Sequence, residues 1–179
     1  MVATPQVKKT AGGRVQAPRW IPPPAGAMKL NVDAAVSKNA GRASAAAVAR
    51  DANGLFLGAS AVVVTGMTNP ETMEVLACRE GLALAQDLRL GRTRLASDCA
   101  SAVGSIKTEQ AHGPCGAIIR EIKATAEGFQ EIEFVHESRN SNVDAHVLAK
   151  SSLYESIGRH VWFIDPPNGV CKTISIVAS

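Results

Sequence analysis

The chain has 179 residues, 46% of them hydrophobic and 20% charged, with a formal net charge of +3, which fits one globular domain able to bury roughly two-thirds of its unfolded surface. An aromatic content of 4% argues against a stacking platform for single-stranded nucleic acid, and the modest charge permits a phosphate-rich partner without the basicity of a histone-like domain. Cys78, Cys99, Cys115 and Cys171 form no C-x-x-C pair and no run of about 18 apolar residues occurs, so nothing points to a zinc site, a disulfide framework or a membrane span.

Residues 1–19, with Gly12-Gly13 and Pro18 and no acid before Asp33, read as a flexible lead. It lacks an apolar signal core, and its first serine, Ser37, comes too late for a transit peptide, so an intracellular setting is expected, nuclear or cytoplasmic. A folded domain is predicted over 20–167, with a tail over 168–179. Met28 to Val36 alternates Leu30 and Val32 against Lys29, Asn31 and Asp33, the period of a strand. Ala43–Arg50 and Leu55–Thr65 follow as strands, and Asp51-Ala52-Asn53-Gly54 between them is a hairpin signal, with Asn53-Gly54 suited to positive φ.

The period then switches to that of a helix, with Asn69 as N-cap, Pro70 at its first position and apolar or small residues to Leu88. After Gly91 come a strand over Thr93–Asp98, a helix from Cys99 to Lys107, a break at Gly113-Pro114, a helix over Ala117–Phe129, a strand over Glu131–His136 and a helix over Asn142–Ile157. The order βββαβααβα predicts an α/β fold: a mixed five-stranded sheet, three antiparallel strands followed by parallel ones, with helices packed on it. The segment after Arg159 is expected to dock as an extended strap.

Three acids occupy privileged points of this pattern. Asp33 and Asp98 close two strands that are expected to run parallel, and ligands of open α/β sheets sit outside such strand ends. Glu74 shares a helix stripe with Cys78, Gly81 and Ala85, the face expected on the sheet. Singly, Asp98 reads as a helix cap, Asp33 as a strand-end residue and Glu74 as a first-turn acid favoured by the helix dipole. Together they would repel unless cations bridge them, and an oxygen-rich cluster suits Mg²⁺ or Mn²⁺.

Five segments in this order resemble the type 1 ribonuclease H fold, in particular its plant and retrotransposon-derived branch: WIPPPAGAMKLNVDAA (20–35), AVARDANG (47–54), EVLACREGL (74–82), ASD (96–98) and HESRNSNVDAHVLAK (136–150). The resemblance implies an endonuclease that hydrolyses the RNA strand of RNA/DNA hybrids, with Asp33, Glu74 and Asp98 as metal-binding acids. The family's fourth acid falls on His146, not on Asp144, which lies roughly 200° round the helix from it. His146 is thus admitted as a catalytic and metal-binding residue, although imidazole suits Mn²⁺ better than Mg²⁺. His136 matches a mobile-loop histidine that assists proton transfer and product departure. Ala34 stands where many members have glycine.

The implied mechanism is hydrolysis with two ions roughly 3.5–4 Å apart on shared carboxylates, Asp33 bridging them. Ser37, Lys38 and Asn142 are the candidate contacts to nucleic acid, and the expected form is a monomer. The alternative is a catalytically weak or inactive retroelement-derived module that binds nucleic acid; His146 and Ala34 favour it and the three acids oppose it.

Overall fold

The computed structural model describes residues 19–108 and 112–171, together with the backbone of 175–176. The expected lead lies outside the described residues except for Arg19, and the 168–179 tail lies partly outside them. Among the described residues the strands are β1 (Arg19–Trp20), β2 (Met28–Ser37), β3 (Arg42–Arg50), β4 (Phe56–Thr65), β5 (Arg92–Ser97), β6 (Glu131–His136), β7 (Gly158–Trp162) and β8 (Ser175–Ile176). The α-helices are α1 (Pro70–Asp87), α2 (Ala100–Lys107), α3 (Gly116–Ala126) and α4 (Val143–Ser152). Six strands form one sheet in the order β6-β5-β2-β3-β4-β7, while β1 and β8 pair separately. The β2, β5 and β6 pairings are parallel and those of β2, β3, β4 and β7 antiparallel.

Helices cover both faces. Residues of α1, α2 and α3 pack with Leu30, Val32 and Leu95 in one core, and Leu148 and Ala149 of α4 pack with Ala46, Val48, Ala59 and Ala61 in another. Strand β3, RASAAAVAR, is buried from Ala43 to Arg50; its alanines keep it thin enough for α1 and α4 to close on it from opposite sides. The same demand explains Gly81 of α1, where an added Cβ would lie 2.7 Å from Val32 Cγ1 and 2.8 Å from Leu95 Cδ1. That approach offsets the ~1 kcal/mol that glycine costs inside a helix.

The local signals act largely as their chemistry dictates. The Asn69 side chain accepts from the Thr72 N–H at 2.9 Å, capping α1 ahead of Pro70. In the β3–β4 hairpin only Gly54 takes positive φ, at 84°, because Asp51 Oδ1 accepts from the Asn53 and Leu55 N–H groups at 2.9 and 2.8 Å and organises the turn itself. Cys99, not Asp98, is the N-cap of α2, and no side chain closes that cap.

The sheet has a sixth strand where five were expected. The last helix stops at Ser152, and Gly158 takes φ +122°, a conformation that L side chains rarely adopt. The chain there re-enters the sheet as β7, antiparallel to β4 with Val63 opposite Gly158 and Ala59 opposite Trp162. The first part of the segment expected as a strap, to Trp162, is thus an edge strand. Arg159 fixes it to α1, donating to Glu80 at 2.7 Å and Asp87 at 2.6 Å.

Candidate active site

The parallel register of β2 and β5 sets Val32 opposite Ser97, so the next residues, Asp33 and Asp98, lie side by side where β5 ends; β2 itself runs on to Ser37, held by its pairing with β3, so Asp33 is an interior strand residue and not the strand-end residue expected. Helix α1 crosses above them and brings in Glu74. One carboxylate oxygen from each acid lies within 4.8 Å of the others. Burial and the neighbouring carboxylates push the Glu74 carboxyl up to about 8. Asp33 is raised for the same two reasons, burial first and Asp98 second, and its hydrogen bond from His146 partly opposes the rise. The Ala34 backbone N–H relieves both acids a little. Cys78, one turn below Glu74, is fully buried and its thiol is pushed up strongly, so it stays neutral.

Within the cluster, Glu74 Oε2 is buried and accepts no hydrogen bond from the described residues. Stranding a buried carboxylate oxygen costs on the order of 1–3 kcal/mol. A hard cation held by carboxylate oxygens removes that cost and the mutual repulsion together. The residues present therefore fit a divalent metal.

His146, in the first turn of α4, places Nδ1 2.7 Å from Asp33 Oδ2. When Nδ1 carries the proton it donates to Asp33, and Nε2 keeps a lone pair free for a ligand or a proton. Asp144 points elsewhere: it is ion-paired with Arg50, and its Oδ1 accepts from the Cys171 N–H at 2.9 Å. His136 ends β6, exposed, opposite Ser97, and so stands at the rim one residue from Asp98. Ser37 and Lys38 lie where β2 turns toward β3, in a depression shared with Pro70 at the start of α1. Asn142 occupies a different place from a surface contact. It is 1% exposed, donates to the Val32 carbonyl at 2.8 Å and accepts from Asn31 Nδ2 at 3.0 Å; its amide belongs to the scaffold beneath Asp33.

Sequence reasoning passed over Arg139. Its Nε lies 3.3 Å from Asp98 Oδ2, with the arginine side chain 73% exposed and the aspartate 10%, so an exposed cation stands over the acid cluster. The one available signal was its place between His136 and His146. A groove of about 510 Å³ runs beside the site, lined by Ala34, Arg139, His146, Lys150 and Tyr154 among others, with no acid in its wall. His146, Lys150 and Tyr154 follow one another at four-residue spacing along one side of the chain.

Comparison with known proteins places this geometry. Residues 31–152 match the family described as "Reverse transcriptase-like". An Arabidopsis thaliana protein provisionally named a ribonuclease H protein is 28% identical over 167 residues, which is 92% of this chain and 26% of that protein. The chain thus spans about a quarter of the length of that curated relative. Among solved structures, the N-terminal ribonuclease H domain of a Mycobacterium tuberculosis protein superposes with a TM-score of 0.65 at 21% identity, covering 70% of this chain and 92% of that one. Ribonuclease H1 from Halobacterium salinarum gives 0.61 at 21% identity, covering 73% and 100%. LC11 ribonuclease H1, determined in complex with an RNA/DNA hybrid, gives 0.63 at 19%, covering 70% and 96%.

Proposed function

The chain belongs to the reverse transcriptase-like family and has the ribonuclease H fold, and from that premise we propose that it hydrolyses the RNA strand of RNA/DNA hybrids with the help of divalent metal ions. One observation carries the reading: Asp33, Glu74 and Asp98 converge beside the end of β5 with a buried Glu74 oxygen that no group among the described residues satisfies.

Asp33, Glu74 and Asp98 would hold the metal, and His146 stands beside that cluster with its Nδ1 on Asp33. Bound there, Mg²⁺ or Mn²⁺ would supply Lewis-acid activation of water and neutralise charge building on the phosphate. The protein's own groups supply the rest. His146 orients the Asp33 carboxylate through Nδ1. Arg139 and Lys150 present cations toward the groove, where a phosphate backbone would draw Arg139 away from Asp98. His136, exposed at the rim, can deliver a proton to the departing 3′-oxygen. Selection of RNA over DNA would rest on contacts to the 2′-hydroxyl.

A labelled RNA/DNA hybrid incubated with the purified chain and Mg²⁺ or Mn²⁺ tests the proposal. Cleavage is expected, and Asp98→Asn should abolish it; cleavage that survives this substitution removes the assigned site. Hybrid binding with no metal-dependent cleavage selects the reading of a non-catalytic nucleic-acid-binding module, which the replacement of the fourth acid by His146 favours.

A further inference from the structure

Strand β2 carries polar residues on alternate positions, and all three are buried: Lys29 is 0% exposed, Asn31 4% and Asp33 2%. Side chains two apart share one face of a strand, so these form a ladder. Each rung meets the segment 137–146. Lys29 is ion-paired with Glu137, itself buried, and Nζ also donates to the Ile21 carbonyl at 2.9 Å. Asn31 donates to Asn142 Oδ1 at 3.0 Å and to the Ser141 carbonyl at 3.4 Å, while accepting from Trp20 Nε1 at 3.1 Å. Asp33 meets His146.

A fully buried lysine paired with a carboxylate is weak evidence for stability, because desolvating both charges offsets most of their attraction; its better-attested use is to fix one arrangement among several. The arrangement fixed here is specific. Between the first and last rungs the chain makes a short 3₁₀ turn, Arg139–Ser141, and enters α4 at Val143. That turn carries Arg139 toward Asp98, and the entry into α4 aims His146 at Asp33. Glu137 also follows directly on His136, and its N–H donates to the Ser97 carbonyl at 2.9 Å, one residue before Asp98. The lower two rungs therefore grip a segment whose exposed members surround the acid cluster.

We propose that Lys29 and Asn31 are positioning residues: through Glu137, Ser141 and Asn142 they hold the 137–146 segment in the register that brings Arg139 to Asp98 and His146 to Asp33. The inference rests on the cleavage reading only for what the positioned groups then do. Neither residue touches the acids. Their removal leaves the metal-binding carboxylates in place and loosens the groups arranged around them.

The experiment uses the full chain carrying Lys29→Met together with Glu137→Leu, which removes both buried charges at once and leaves no orphaned ion. Hydrogen exchange reads the segment directly, since the N–H groups of Ser141, Asn142 and His146 are bonded to Ser138, Arg139 and Asn142 carbonyls. These amides are expected to exchange at least tenfold faster than in the parent, with those of β3 and β4 unchanged. Mn²⁺ titrated alone should bind within about twofold of the parent, while hybrid turnover falls at least tenfold in kcat and KM rises as Arg139 leaves its place at the groove. Unchanged exchange across 141–146, or unchanged kcat in a chain whose segment has loosened, overturns the proposal. Should the double variant fail to fold, Asn31→Ala is read in the same way on the next rung. A parent chain that cleaves no hybrid defeats the cleavage reading, and the exchange comparison then decides the positioning on its own.

Discussion

Replacing Glu74 by glutamine should stabilise the metal-free protein at alkaline pH and make it indifferent to metal. The carboxyl rises from its ordinary 4.5 to about 8 because burial and the charges of Asp33 and Asp98 oppose its ionisation. An acid whose folded-state pKa lies above its unfolded value takes up a proton on folding. Its contribution to stability is therefore present below pH 4.5 and is lost as pH rises toward 8. At 1.36 kcal/mol per pH unit, the loss reaches roughly 4 kcal/mol by pH 8 as an upper bound. Glutamine keeps the shape and cannot ionise. In chelator, the Tm of Glu74→Gln should match the parent near pH 5 and exceed it progressively to pH 8, by several degrees if each kcal/mol is worth about 2–4 °C in a chain of this size. Saturating Mn²⁺ should narrow the gap at pH 8 and reverse the order near pH 6, where the loss is only about 2 kcal/mol, since binding at about 100 times Kd adds about 2.7 kcal/mol to the parent alone. Thermal melts from pH 5 to 8, with chelator and with Mn²⁺, make the comparison. Parallel curves for the two proteins in chelator would refute the repulsive cluster and the metal assignment drawn from it.

Gly81→Ala should destabilise by roughly 1–3 kcal/mol in denaturant unfolding, because its methyl group would press on Val32 and Leu95 beneath α1. Arg139→Ala should weaken hybrid binding and lower the slope of log affinity against log salt by about one if the guanidinium meets a phosphate; an unchanged slope would confine Arg139 to its contact with Asp98. His146→Asp restores a fourth carboxylate, which suits Mg²⁺ better than imidazole does, and the ratio of Mg²⁺-supported to Mn²⁺-supported cleavage is expected to rise.

The parts of this molecule that could be read from the sequence are those whose cause is local. Asn69-Pro70 announces α1 because a cap and a fixed φ act within one turn. The stripe Glu74, Cys78, Gly81 and Ala85 announces its buried face because 3.6 residues make a turn. The convergence of Asp33, Glu74 and Asp98 needs one further step, the parallel pairing of β2 with β5, which the intervening helix makes the natural connection. Strand β7 was hidden because its sequence, GRHVW, carries two basic residues and follows a helix pattern with no proline to stop it; the break comes from Gly158 and from pairing with β4 across about a hundred residues.

The ladder on β2 was hidden for a deeper reason. Polar residues at alternate strand positions ordinarily mark the solvated face of a half-buried sheet, and Lys29 and Asn31 obey that pattern letter for letter. Their burial is decided by partners more than 100 positions away, Glu137 and Asn142. The alternation that advertised Asp33 as a strand-end acid was thus one instance of a longer arrangement: a polar face covered by α4 and its approach, in which the acid is the last of three rungs. Asp33 belongs at once to the metal-binding cluster and to the ladder. A change at Lys29 should accordingly reach the site through the protein groups surrounding the acids, sparing the acids themselves, so that catalysis and metal affinity separate there as they cannot at Asp33.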